Sequence, residues 1–66
     1  SDAVLVGTVL TDKPKALLLL PGKDSAEELA VGELWLAPWV LKRVEQNTIF
    51  WQNQETNQQQ QQVLFQ

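Results

Sequence analysis

Val4 to Leu10 (VLVGTVL) is rich in β-branched residues and runs into Thr11-Asp12-Lys13-Pro14, a polar stretch closed by a residue that cannot donate to a ladder. The pattern predicts a strand and then a turn. Alternation puts Val4, Val6, Thr8 and Leu10 on one face, and Leu5, Gly7, Val9 and Thr11 on the other. Both faces carry apolar residues, so both are expected to be covered. Gly7 has no side chain to pack and marks a bulge, a bend or a close backbone approach. Ala16 to Leu20 favours helix by composition, yet Pro14 and Pro21-Gly22 confine it to too few residues for a useful helix. A second, buried strand is expected there, with Pro21 to Ser25 as the connection that follows.

The next segment has two readings. Ser25 to Glu28 has the spacing of a capping box and Gly32 could close a short helix over 26–31, while Glu28 to Val31 also reads as a third strand returning along the second. Gly32 to Trp39 holds two tryptophans and a proline, the composition of a packed connection between sheets. Val40 to Glu45 and Thr48 to Gln52 flank Gln46-Asn47, where Asn tolerates left-handed geometry, and together they read as a hairpin. Leu41 and Val44 are three positions apart, whereas Ile49 and Trp51 are two apart. Facing all four inward therefore requires an extra residue near Lys42-Arg43, a β-bulge. No apolar residue lies between Trp51 and Val63, so Gln54 to Gln60 is expected to be a mobile loop before a last strand around Val63 to Phe65.

Length and charge then narrow the function. Sixty-six residues are expected to form one small domain over 1–66, because a chain of this size buries only about 60% of its unfolded surface. With no Cys and no His, disulfides, zinc sites and histidine-assisted nucleophiles are absent from the repertoire. No enzyme activity, cofactor or metal is expected. Five cationic side chains (Lys13, Lys15, Lys23, Lys42, Arg43) and a net charge of -3 leave no extended basic surface for nucleic acid. The longest apolar run, Ala16 to Pro21, is far short of the roughly 20 residues of a membrane-spanning helix, so this segment is not expected to insert into a membrane.

Among side-chain clusters, Glu27, Glu28 and Glu33 lack the ligand spacing of a calcium loop and read as a solvated surface. Trp35, Trp39 and Trp51 could stack sugar rings or bases, but a chain with only two other aromatics needs most of that volume for its core. Backbone remains. The first strand carries no charge and no proline, the residues that blunt a sheet edge, and so could accept a strand from another chain if it lies at an edge.

The order of the elements resembles a known family, the periplasmic homology region of the type II secretion inner-membrane C protein (GspC), itself similar to the PilP domain of type IV pilus systems. The resemblance is carried by Leu5-Val6-Gly7-Thr8-Val9-Leu10, the Pro14 turn, Ala16 to Leu20, Val31-Gly32-Glu33, and Val40-Leu41-Lys42-Arg43-Val44. It continues through the steps from Val44 to Ile49 and on to Trp51, Asn53, and the close around Val63-Leu64-Phe65. It covers nearly the whole chain; the departures are the Trp35–Trp39 connector and the glutamine run. The resemblance implies an all-β fold of two small three-stranded antiparallel sheets packed as a partly open barrel or sandwich, with 28–31 as strand. It also implies a periplasmic domain, excised from a longer inner-membrane protein, that docks on the N-terminal periplasmic domain of the outer-membrane secretin and works beside other inner-membrane secretion components. The docking surface it implies is Thr8, Val9, Leu10 and Thr11, with Leu29, Ala30 and Val31 beside them. The competing reading is a small barrel that binds carbohydrate or single-stranded nucleic acid through exposed tryptophans.

Overall fold

The computed structural model describes residues 2–66. Strands form at β1 (Val4–Val9), β2 (Lys15–Leu19), β3 (Glu27–Ala30), β4 (Trp39–Glu45), β5 (Thr48–Asn53) and β6 (Gln59–Val63). They pair as two three-stranded antiparallel meanders, β1-β2-β3 and β4-β5-β6, so the expected all-β architecture is the one found. Among the described residues no helix is long and apolar enough to cross a membrane.

The segment that admitted helix or strand is strand: Leu29 stands opposite Ala16 and Ala30 opposite Lys15. A helix over 26–31 would be short and would leave the outer ladder of β2 unpaired, whereas a strand satisfies both backbones. Gly32, at φ +93°, then serves as the turn into the connector, not as a helix stop.

Both bulges change which residues share a face. In β1, Leu5 pairs with Leu18 but the next pair is Gly7 with Leu17, which leaves Val6 as the extra residue. Beyond the bulge the faces invert. Thr8 joins Leu5 on the core side, opposite the buried Ala16, while Val9 faces outward beside Lys15. Simple alternation had set Leu5 and Thr8 on opposite faces, and the shift at Val6 and Gly7 corrects it. Gly7 also sits against its partner strand: a Cβ there would lie 3.1 Å from Leu17 Cδ1. In β4 the register skips between Leu41 and Arg43, as the spacing required, so Leu41, Val44, Ile49 and Trp51 all point inward.

The glutamine run is more ordered than its composition suggests. β6 runs through it, pairing Gln59 with Gln52 and Val63 with Thr48, so the expected mobile loop over 54–60 shrinks to a turn. Asn53 builds that turn: its N–H donates to Gln58 O at 2.8 Å and its Oδ1 accepts from Glu55 N and Thr56 N at 2.9 and 3.1 Å. Asn57 completes it at φ 62°. The last strand consequently ends at Val63, and Leu64-Phe65 turn away from it. Backbone pairing with β5 supplies the order that apolar side chains do not.

The core is shared between the sheets. Leu5, Ala16, Leu18 and Leu29 come from one, Leu41, Val44, Ile49 and Trp51 from the other, with Ala3 beside them. Trp35, Trp39, Leu20 and Leu64 pack against this cluster, so all three tryptophans contribute to the interior. Two cross-connections hold the sheets together. The connector bonds to β4 through Gly32 N to Leu41 O (2.8 Å) and Leu41 N to Glu33 O (3.1 Å). The C-terminal turn bonds to β1 through Leu5 N to Gln66 O (2.9 Å) and Phe65 N to Leu5 O (2.6 Å).

Candidate functional site

β1 lies at the edge of its sheet, with only β2 beside it in the ladder. The C-terminal turn occupies the outer side of that edge at Leu5, and among the described residues no further backbone bond reaches the outer side of Val6 to Val9. The available edge is therefore the second half of the strand. It is uncharged from Val4 to Thr11 and ends in Leu10, which is 54% exposed. Thr11 caps the following bend, its Oγ1 accepting from Lys13 N at 3.2 Å.

The seven candidate docking residues do not form one edge. β2 separates β1 from β3, so Thr8 to Thr11 and Leu29 to Val31 lie on opposite sides of the sheet. Leu29 is a correction: it is 5% exposed and packs in the core, because the ladder sets it on the same side as Ala16. Thr8 likewise turns its side chain inward, leaving its backbone at the edge. What does come together is the outer face. Val9 and Ala30 flank Lys15 in one row, and Leu10 and the exposed Val31 continue past that row at the same end of the sheet. Val31 N donates to Pro14 O at 3.3 Å, fixing this end. The surface offered is a small end patch in which Val9 and Ala30 stand on either side of the Lys15 side chain, with Leu10 and Val31 beyond them, next to a free strand edge. The Lys15–Glu28 ion pair beside it spans 3.5 Å and is exposed, so it adds little to stability.

A second concave feature was not legible in the sequence. Trp35, Trp39 and Trp51 meet Gln60, Gln62 and the Asp2–Val4 segment around a cleft of about 350 Å³ at the open end between the sheets. The tryptophans do not build an exposed platform: Trp51 is 6% exposed, and Trp35 and Trp39 are half-buried. The signal that could have located the cleft is the strand parity of Gln60 and Gln62. Placing the last strand nearer the C-terminus hid it.

On the opposite face of the same sheet the Arg43 guanidinium stacks over Phe50, 4.2 Å from the ring centroid, and pairs with Glu45 at 3.2 Å. This accounts for Arg43 as surface packing, and Lys42 beside it is exposed. Comparison of the chain with family models, curated proteins and solved structures found no match.

Proposed function

We propose that this domain is a protein-docking module, periplasmic in location, that joins the inner-membrane part of a type II secretion system to the N-terminal periplasmic domain of the outer-membrane secretin. The observation that carries the reading is the free, uncharged half-edge of β1 running out into exposed Leu10 and Thr11. An edge of that kind takes a partner strand through main-chain bonds, while neighbouring apolar side chains set the register. The choice of partner rests on the resemblance of the element order to the homology-region family.

The patch is a few residues against the roughly 20–30 a side of a standard interface, so weak binding is expected, with Kd of about 1–100 μM. Isothermal titration against the purified periplasmic region of a secretin tests the reading, with Val9→Asp as the variant. In the free domain the new carboxylate stands opposite Lys15 on the outer face, so the fold is expected to survive. On docking it must be desolvated, and binding is expected to fall at least about tenfold, or 1.4 kcal/mol. A folded Val9→Asp protein with unchanged affinity excludes this surface. No heat and no complex for the parent protein excludes the partner.

A further inference from the structure

The cleft between the sheets has a chemistry that the docking reading does not use. On the inner face of the β4-β5-β6 sheet, Leu41, Trp51 and Gln60 form one row, and Trp39 stands in the next, opposite Asn53. Side chains in one row and on its diagonal are within reach of each other, so Gln60 lies beside the Trp51 indole with Trp39 across the mouth. Trp35 is held at the same place by its own turn: Trp35 N donates to Trp39 O at 3.0 Å, and Trp39 N to Leu36 O at 2.8 Å. Indoles thus flank the opening from both ends of one hydrogen-bonded turn.

The rear wall is fixed by an amide. Trp51 Nε1 donates to Gln62 Oε1 at 2.9 Å, and Gln62 Nε2 donates to Ala3 O at 2.8 Å and also to Gln66 O. That network orients Gln62 and satisfies the buried indole N–H, so the wall is in place before any ligand arrives. Gln60 is exposed at the rim, and its side-chain amide keeps a donor and an acceptor for a ligand.

We infer that this cleft is a binding site for a neutral carbohydrate, accepting one or two pyranose rings at the end of a glycan. Volume, charge and lining support the choice. About 350 Å³ is at the small end of ligand sites, which suits a compact ring system and not an extended chain. None of the five Lys and Arg side chains lines it, and among the described residues Asp2 supplies its one charged side chain, so phosphate-bearing ligands are disfavoured. The parts of Trp35 and Trp39 left uncovered at the cleft give apolar contact for one side of a sugar ring, while Trp51 forms the closed rear wall, and amides match hydroxyls that both donate and accept. The cleft meets β1 at its Val4 end, away from Leu10 and Thr11, so it is separable from the docking edge.

The test is a titration of the ¹⁵N-labelled domain with maltotriose, cellotriose and tri-N-acetylchitotriose, followed at the three indole N–H signals and the glutamine side-chain amides. A saturable shift of Trp35, Trp39 and Gln60 is expected with at least one sugar, with Kd of about 1 mM or tighter. Gln60→Ala removes an exposed side chain and leaves the fold intact; it is expected to weaken that binding about five- to tenfold, the loss of one net hydrogen bond. Trp39→Phe is a second variant that keeps an aromatic in place and is expected to weaken binding by a similar factor. No shift with any of the sugars up to about 10 mM overturns the inference. So does unchanged affinity in both variants, or saturation of the cleft by a short oligothymidylate or a proline-rich peptide instead.

Discussion

Ile49 reports on the register of the β4-β5 pair more directly than any other residue. It is fully buried and stands opposite Val44 on one side and Gln62 on the other, and the bulge at Lys42 is what lets Val44 and Leu41 both face the core beside it and Trp51. Ile49→Ala deletes three carbons from the interior, which at about 0.8 kcal/mol each removes about 2.4 kcal/mol of transfer free energy. The walls collapse only partly, and the residual cavity brings the total to about 3–4 kcal/mol. A 66-residue domain has about 3–10 kcal/mol to lose at the usual 0.05–0.15 kcal/mol per residue, so this single change takes a large share. Ile49→Val, at about 1 kcal/mol, keeps the measurement within range if the alanine variant unfolds. With a urea slope of about 1 kcal/mol/M, the midpoint should fall by about 1 M for valine and about 3 M or more for alanine. A loss below about 0.5 kcal/mol for Ile49→Ala would mean an exposed side chain and would refute the inward facing of Ile49 opposite Val44.

Gly32 adopts φ +93° with no atom within 4 Å of a Cβ position, so Gly32→Ala isolates backbone strain and should cost about 1–2 kcal/mol in the same melts; an unchanged midpoint would show that the turn relaxes freely. Gln62→Leu leaves the Trp51 indole N–H without its acceptor in a site that is 6% exposed, and should cost about 1–3 kcal/mol, read from thermal unfolding; an equal or higher Tm would argue against the network. Hydrogen exchange should show slowed amides within Gln59 to Val63 and at Gln54, which donates to Pro38 O, and faster ones at Thr56 and Gln58, whose acceptors are side-chain oxygens of an exposed turn; uniformly fast exchange through the glutamines would contradict the β6 pairing.

The parts of the fold that could be read from the chain are those in which side-chain chemistry decides the outcome. The Leu41/Val44 against Ile49/Trp51 spacing demanded the second bulge, and Asn47, at φ 65°, marks the turn it flanks. Gly7 flagged the first bulge, yet alternation alone could not show that Val6 is the extra residue, so the facing of Thr8 was inverted. Glutamine carries little intrinsic preference, and the order of β6 comes from the β5 ladder and the Asn53 turn, which are long-range and backbone-mediated. For the candidate docking residues the structure speaks to exposure alone. Leu10 and Val31 are exposed as a contact needs, but Leu29 went to the core because its face is set by β2. The cleft depends on residues as distant as Ala3 and Gln62 meeting, which no local pattern encodes.

The central claim, that the second half of β1 is a docking edge for a secretin's N-terminal periplasmic domain, is tested most directly by mapping amide shifts of the labelled domain as that partner is added. Shifts and exchange protection are expected at Gly7 to Thr11, with weaker effects at Ala30 and Val31 and none at Gln60. Shifts confined to β3, β4 or the cleft, with Val9 and Leu10 unmoved at saturation, would contradict the claim.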